Sequence, residues 1–246
     1  GTHRNVVYVA ATFVPTAQDM QDLRTFLDQN GGQEIDIIAK IENRSGVDNA
    51  DAILNYCDGI MVARGDLGVE IPYEELPPIQ KQLIQLCLKR GKIVITATEM
   101  LESMTSKPRP TRAEISDVAN AVYDGSSAIM LSGETAAGQY PVEAVQAMSR
   151  IAVRTEADID YEKRFRNTDF HLYHYNDAMS HGACALAIDT KVSAIVVCTL
   201  SGDMARQVSR FRCPKPIIGM TTKRKVWNQL SLFWNVRPAM SEQFPT

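Results

Sequence analysis

Short apolar runs rich in β-branched residues recur along the first part of the chain, and longer amphipathic stretches separate them. Such runs are typical of buried parallel strands, and the stretches between them have the period of helices. The predicted strands are residues 6–13, 35–41, 59–63, 93–97 and 128–131. The predicted helices are residues 17–28, 46–56, 76–90 and 112–123. This alternation predicts repeated βα units, hence a parallel sheet with helices outside it.

A second, smaller alternation follows. A predicted helix runs from residue 142 toward 159, and the polar and aromatic stretch 160–175 is interpreted as a linker or a domain junction. Beyond it, helices are predicted at 177–189, 204–211 and 226–233, and strands at 194–198, 217–220 and near 236. We therefore predict an α/β protein of two domains, residues 1–160 and 161–246.

Charged side chains end two of the apolar runs. Lys40 and Glu42 close the second predicted strand, and Arg64 and Asp66 follow the third. The carboxyl ends of parallel strands carry the chemistry of both (β/α)8 barrels and open α/β sheets. Residues 40 and 42 share one side of a strand because side chains alternate. One lysine and two carboxylates at this edge suit an anionic substrate and a divalent metal ion.

Composition excludes other classes of function. The chain has 26 Lys and Arg against 29 Asp and Glu and no long basic tract, so nucleic-acid binding is disfavoured. Its five cysteines are scattered without a CxxC pair, which is typical of free thiols in a reducing compartment. The sequence has neither an 18-residue apolar span nor a signal-peptide pattern, and we expect no membrane partner.

Five blocks of the sequence resemble the pyruvate kinase family, and they occur in the order in which that family has them. They are IDIIAKIEN at 35–43, MVARGDLG at 61–68, ATEMLESM at 97–104, KPRPTRAE at 107–114 and IMLSGET at 129–135. The resemblance implies a (β/α)8 TIM barrel followed by an α/β C-terminal domain. Only about five of the eight βα units have counterparts here, so we expect a fragment that combines the later part of the barrel with part of the C-terminal domain.

The resemblance also implies an activity. Members transfer a phosphoryl group from phosphoenolpyruvate to ADP, giving pyruvate and ATP in glycolysis. It implies a cytoplasmic homo-oligomer, a tetramer, that uses Mg²⁺ or Mn²⁺ and K⁺. The potassium ligands belong to family segments without a counterpart in this chain. We expect little or no kinase activity from this segment alone, since five barrel strands cannot close.

Site residues are carried over position by position. By resemblance Glu42 and Asp66 hold the divalent ion, and Lys40 neutralises the transferred phosphoryl group and the enolate. Thr98 and Ser132 are implied as catalytic relay groups. The resemblance further implies that the backbone amides near Gly65 and Asp66 hold the substrate carboxylate. The residues implied around the substrate are Lys40, Ala63, Arg64, Gly65, Asp66 and Thr98.

Several of these residues have a structural interpretation as well. Arg64 could be a salt-bridge residue that shapes its loop, and the Thr98 hydroxyl could cap the following helix. Ser132 could equally be structural. Two departures from the family pattern are Glu99, where Gln is frequent, and Ala137, where Lys is usual.

The loop from residue 199 to residue 203 joins a predicted strand to a predicted helix. Thr199, Ser201 and Gly202 are candidates to bind the phosphate of an effector, because small hydroxyl residues and Gly before a helix form phosphate cradles. Asp203 would repel such a phosphate.

Two other functions remain open at the level of sequence. One is a metal-dependent barrel aldolase or lyase acting on the enolate of an α-keto acid. The other is a non-catalytic truncated subunit that only associates with intact ones.

Overall fold

A computed structural model describes residues 6–243 as two parallel sheets with helices around them. The first sheet has five strands in the order β1-β2-β3-β4-β5, all parallel. Its strands are β1 Tyr8–Ala11, β2 Asp36–Ile41, β3 Gly59–Ala63, β4 Ile93–Ala97 and β5 Ala128–Met130. The second has three, β6 Ile195–Cys198, β7 Ile217–Thr221 and β8 Val236–Met240. Since sequence neighbours pair in order, the carboxyl ends of β1 to β5 form one continuous edge.

Helices connect the strands in both units. Those of the first unit are α1 Ala17–Gln29, α2 Arg44–Asp48, α3 Ala50–Ile53, α4 Arg64–Glu70, α5 Leu76–Arg90, α6 Arg112–Asp124, α7 Gly133–Ala136 and α8 Pro141–Glu156. The later ones are α9 Tyr161–Asn167, α10 Tyr175–Asp189, α11 Asp203–Arg210 and α12 Arg224–Leu230. Short 3₁₀ turns cover Tyr73–Glu75 and Glu102–Thr105. Within residues 6–243 we find no helix with the length and apolar character that crossing a bilayer requires.

Local signals explain where the longer helices begin and end. At the start of α6, Thr111 and Glu114 form a reciprocal capping box, which satisfies two backbone amides that would otherwise lack partners. Helix α5 ends at Gly91, whose left-handed φ of 63° is easily accessible only to glycine. These two helices therefore have the bounds that the sequence predicts to within one residue.

Two sequence predictions of secondary structure are wrong. Residues 46–56 form two short helices rather than one, because the Asn49 side chain donates to the carbonyls of Pro15 and Ser45 at the junction. The predicted linker contains helix α9, whose first turn is capped by the Asp160 carboxylate through the Lys163 amide at 2.9 Å. Phe165 is buried on this helix and fixes it to the second unit.

The two faces of the first sheet belong to different cores. On β2, Ile37 and Ile41 pack under the outer helices, whereas Ile38 points to the opposite face. That inner face shares one hydrophobic cluster with the second unit, including Phe211 and Phe233. The sheet is thus covered on both faces, as a parallel sheet requires.

Polar contacts show which end of the first sheet the second unit covers. The Tyr8 hydroxyl donates to the Gln229 carbonyl at 2.9 Å, and the Arg212 guanidinium donates to the Gly125 carbonyl at 2.7 Å. Tyr8 and Gly125 both lie at the amino-terminal ends of the strands. The second unit therefore contacts the amino edge and leaves the carboxyl edge open.

Candidate active site

The carboxyl edge carries the predicted lysine and carboxylates on adjacent strands. Strand β2 ends at Ile41 and Glu42 follows it, with Lys40 one residue inside the strand. The neighbouring strand β3 ends at Ala63, and helix α4 begins at once, so Asp66 lies in its first turn. The bend from strand to helix keeps this short segment at the rim.

Lys40 and Glu42 form an ion pair. Glu42 is only 2% exposed, whereas the Lys40 side chain is 25% exposed. The second carboxylate oxygen, Oε2, accepts hydrogen bonds from the Thr12 hydroxyl at 2.9 Å and the Phe13 amide at 2.7 Å. Every donor near Glu42 therefore stabilises its charged form.

Electrostatics at Glu42 follow from these contacts. Burial, the largest influence, raises the pKa of Glu42, but the hydrogen bonds from Lys40, the Phe13 amide and Thr12 together outweigh it, and the pKa is lowered. The carboxylate is consequently ionised at neutral pH. Thr12 and Phe13 were not predicted from the sequence; their position directly after β1, the strand that pairs with β2, is the signal that could have indicated them.

Glu42 and Asp66 line one pocket of about 490 Å³. Its other lining residues are Phe13, Asn43, Arg44, Ser45, Val69 and Glu70. Asp66 is exposed and Glu42 is buried, so the two carboxylates reach the pocket from its rim and from its floor.

The donors in this pocket fit a hard divalent cation. Glu42 Oε1 is buried and has no hydrogen-bond partner beyond its ion pair with Lys40, and Asp66 adds a second carboxylate. Among residues 6–243 there is no cluster of three or more Asp, Glu, His or Cys that could hold a metal by itself. Mg²⁺ commonly uses one or two carboxylates and completes its shell with substrate oxygens and water. The set is therefore adequate for such an ion together with an anionic substrate.

The loop after β4 places Thr98 against the start of α4. The Gly65 amide donates to Thr98 Oγ1 at 2.7 Å, and Oγ1 donates to the Ala97 carbonyl at 2.6 Å. The hydroxyl thus caps α4, the helix that precedes it along the chain, rather than the helix that follows. The Gly65 amide, predicted to hold a substrate carboxylate, is occupied by this contact, and its role toward substrate stays a prediction.

Arg64 is buried beside the site but outside the pocket. Its guanidinium pairs with Asp117 at 2.7 Å and donates to the Thr98 carbonyl at 2.7 Å. Ala63, the residue before it, is fully buried at the end of β3. Arg64 therefore makes the contacts expected of a residue that shapes its loop, and the substrate contacts predicted for Arg64 and Ala63 stay a prediction.

Ser132 lies at the start of α7, after β5. Its amide donates to Glu134 Oε2 at 2.7 Å, while Oε1 of the same buried carboxylate accepts from the Leu101 amide at 3.0 Å. Glu134 thereby ties the loop after β5 to the loop after β4. The Ser132 hydroxyl is not part of the Glu42–Asp66 pocket, and its catalytic role stays a prediction.

The predicted phosphate loop of the second unit lines a pocket of about 570 Å³. The Gly202 amide donates to Thr199 Oγ1 at 2.8 Å, and the Ser201 hydroxyl donates to Asp203 Oδ2 at 2.9 Å. The Asp203 amide in turn donates to Ser201 Oγ at 3.3 Å. The loop's own side chains therefore occupy the groups that a phosphate would need.

Comparison with known proteins assigns both units. Residues 1–145 match the family model described as pyruvate kinase, barrel domain, and residues 177–246 match pyruvate kinase, alpha/beta domain. The predicted fold class, part of a TIM barrel followed by a smaller α/β domain, is confirmed.

Individual relatives agree with this assignment. The chain is 51% identical to a pyruvate kinase of Sporosarcina psychrophila over 99% of its own length and 42% of the relative's. A pyruvate kinase of Clostridium acetobutylicum is 47% identical over 99% of this chain and 52% of the relative. One of Geobacillus stearothermophilus is 49% identical over 96% of this chain and 40% of the relative. The chain spans about half the length of these curated relatives or somewhat less, and it belongs to the pyruvate kinase family.

Proposed function

We propose that the pocket at the carboxyl edge binds phosphoenolpyruvate with a divalent metal ion and serves phosphoryl transfer to ADP. The observation that carries this proposal is the ion pair of Lys40 with the buried Glu42 carboxylate, beside a pocket that also receives Asp66. Phosphoryl transfer depends mainly on positioning and on neutralising the charge of the oxygens in flight. An ammonium and two carboxylates at one edge meet that demand.

Each residue then has a distinct part. Glu42 and Asp66 would hold Mg²⁺ or Mn²⁺, which supplies positive charge beside the phosphoryl oxygens when it is bound. Lys40 stabilises the transferred group and the enolate oxygen with its ammonium. Glu42 keeps that ammonium at the rim, and the hydrogen bonds from the Thr12 hydroxyl and the Phe13 amide keep the Glu42 carboxylate in place.

Thr98 acts on the proton that converts enolate to pyruvate. A threonine hydroxyl is a weak acid at neutral pH, so it relays a proton through water more readily than it donates its own. Its Oγ1 lies 2.7 Å from the Gly65 nitrogen, which supports a position beside the substrate loop. Ser132 would assist at the next strand end.

The wider role is inferred for the whole protein. We expect a glycolytic phosphotransferase of the cytoplasm, assembled as a homo-oligomer, that uses K⁺ and adenine nucleotide. Within the described part of the chain, β1 and β5 are the edges of an open sheet. We therefore expect little turnover from these 246 residues. We propose that the catalytic domain spans residues 1–160 and that the effector-type domain spans residues 161–246.

Metal binding tests the site directly. Titration of the chain with Mn²⁺ in the presence of oxalate, followed by electron paramagnetic resonance, should reveal one bound ion. Glu42→Gln should weaken this binding at least about tenfold because it removes one of two charged ligands. Glu34→Gln is the matched control, since Glu34 is exposed and lies at the opposite edge. Equal affinity of the two variants would contradict the ligand assignment.

Turnover tests the expectation about activity. The chain is assayed with phosphoenolpyruvate, ADP, Mg²⁺ and K⁺, and pyruvate is detected through lactate dehydrogenase. We expect a rate close to background. Turnover near that of a full-length relative would refute the idea that the open sheet prevents catalysis, while leaving the residue assignments intact.

We expect the loop from residue 199 to residue 203 to bind no phosphate in the parent chain. We expect that inorganic phosphate, titrated into labelled protein, moves the amide resonances of Ser201 and Gly202 only if Asp203 is first replaced, as in Asp203→Ser. The reason is that the Asp203 carboxylate lies 2.9 Å from the Ser201 hydroxyl, where a phosphate oxygen would bind. Saturable shifts in the parent chain would contradict this expectation.

A further inference from the structure

We propose that Arg64 and Asp117 are positioning residues that hold Thr98 in a left-handed backbone conformation and thereby aim its hydroxyl at the start of α4. The catalytic consequence rests on the function proposed above. The positioning itself rests on the contacts of Arg64 with the Thr98 and Glu99 carbonyls and with Asp117, and it can be tested independently.

Thr98 and Glu99 both have a backbone that side chains rarely adopt. Their φ angles are 67° and 52°. A positive φ is a genuine outlier for a β-branched residue such as threonine, and two consecutive ones without glycine are rarer still. Conformations of this kind persist only where the surroundings hold them, and they concentrate at functional sites.

Arg64 supplies the restraint. Its Nε donates to the Thr98 carbonyl at 3.2 Å, and its Nη2 donates to the same carbonyl at 2.7 Å. Nη2 also lies 3.3 Å from the Glu99 carbonyl. The guanidinium therefore donates hydrogen bonds to two successive carbonyls of the left-handed turn. The planar fork of arginine can do this, whereas the single ammonium of lysine cannot.

Asp117 fixes the guanidinium from the other side. Its Oδ1 lies 2.7 Å from Arg64 Nη1, and Arg64 as a whole is only 6% exposed. Asp117 belongs to α6 and Arg64 to α4, so the pair joins two helices around the loop after β4. The carboxylate, at 35% side-chain exposure, balances the charge without being buried itself.

The result is a closed circuit of contacts. Arg64 donates a hydrogen bond to the Thr98 carbonyl. The Thr98 hydroxyl in turn accepts a hydrogen bond from the amide of Gly65, the residue after Arg64. Release of the guanidinium frees the turn, and the hydroxyl then leaves both the Gly65 amide and the Ala97 carbonyl. Thr98 would then lose its orientation toward the proposed substrate, even though the Thr98 side chain contacts neither Lys40 nor Glu42.

Hydrogen exchange of the Gly65 amide tests the positioning in the chain itself. In Arg64→Lys, this amide should exchange at least about tenfold faster, while amides of β3 stay as protected as before. Arg212→Lys is the matched control, since Arg212 is equally buried and binds the carbonyl of Gly125 instead. If Arg64→Lys does not fold, exchange of the Gly65 amide is measured in Asp117→Asn instead, because the Asp117 side chain is partly exposed.

A rescue variant separates positioning from general damage. In the double variant Arg64→Lys/Glu99→Gly, the Gly65 amide should exchange at least about threefold more slowly than in Arg64→Lys alone, because glycine adopts a positive φ without strain. Unchanged Gly65 exchange in Arg64→Lys, equal acceleration in Arg212→Lys, or no rescue by Glu99→Gly would each overturn the proposal.

The link to catalysis has its own readout. Exchange of the methyl protons of pyruvate with deuterated water, followed by NMR with Mg²⁺ present, should show a lower kcat in Arg64→Lys with KM and Mn²⁺ affinity within about twofold of the parent. This exchange needs the pocket and the metal ion but no transfer to ADP, so we expect it from the parent chain although overall turnover is close to background. A parent chain that exchanges no protons would contradict the relay role proposed for Thr98. The Gly65 amide would still decide whether Arg64 positions Thr98.

Discussion

Strand β2 carries a charged side chain near each end, and the two edges of the sheet shift the pKa of their carboxyl groups in opposite directions. Asp36 begins the strand and Lys40 lies four residues later, so both point to the inner face. At the carboxyl edge, Lys40 pairs with Glu42 beside an open pocket. At the amino edge, Asp36 lies under the second unit with another carboxylate, Asp58, as its neighbour.

The amino edge holds its acids without a matched cation. Asp58 accepts the Ile37 amide at 2.9 Å, and Arg206 of α11 approaches it only to 3.8 Å. Burial raises the pKa of Asp36 to about 7, with a further contribution from Asp58, although Arg206 and Lys225 oppose the shift. Asp36 is therefore partly protonated near neutral pH.

The carboxyl edge holds its acid in the charged form. Glu42 is almost fully shielded from solvent, yet its pKa is lowered. Burial therefore does not decide the charge of an acid by itself. Donors aimed at the carboxylate decide it, and only the open edge provides them together with room for an ion.

Lys40→Met should have the largest effect on this comparison. It leaves the buried Glu42 carboxylate without its cation, so we expect a loss of about 3 kcal/mol in the free energy of unfolding at pH 7. Urea denaturation measures it. Lys225→Met is the control, because Lys225 pairs with the exposed Glu34 and should lose only about 0.5 kcal/mol or less. Equal losses would mean that the two edges do not differ.

Asp36→Asn should act in the opposite direction. The pKa of Asp36 is about 7 in the folded protein and near its ordinary value of 3.8 when unfolded, so its contribution to stability falls as pH rises between about 4 and 7. The uncharged side chain of the Asp36→Asn variant does not titrate, so this loss of stability with rising pH is absent. We expect a gain of about 2 kcal/mol at pH 8, after allowance for solvent screening, and no gain near pH 3.5.

Denaturant unfolding across that pH range is the measurement for Asp36→Asn. Asp51→Asn, at an exposed ion pair with Arg90, controls for a loss of charge as such. An Asp36→Asn variant no more stable than its parent at pH 8 would show that the amino edge accommodates the ionised acid.

Arg206→Gln should give the smallest effect. Removal of the guanidinium takes away one of the groups that lower the pKa of Asp36, so the titration midpoint of the Asp36 carboxyl carbon in NMR should move upward. The free energy of unfolding at pH 8 should fall by about 1 kcal/mol, since Arg206 also pairs with Asp203 at 2.9 Å. A midpoint that moves downward would contradict the charge balance described for this edge.

Much of the first unit could be predicted from local pattern. The five apolar runs of the first unit became β1 to β5, and the two-residue period placed Lys40 and Glu42 together. The contacts of Glu42 with Thr12 and of Arg64 with Asp117 could not be predicted in this way. They join residues 30 and 53 positions apart, and only the pairing of strands and the packing of α6 bring them together.

By itself the sequence determined the order of strands and helices, the family and the edge at which the charges gather, because apolar period and strand ends are local properties. Tertiary structure alone decided which charges are matched. The left-handed turn at Thr98, the lowered pKa of Glu42 and the raised pKa of Asp36 all depend on groups from other elements. A side chain's charge and orientation follow from the donors and the water that surround it, and the fold brings these from distant parts of the chain.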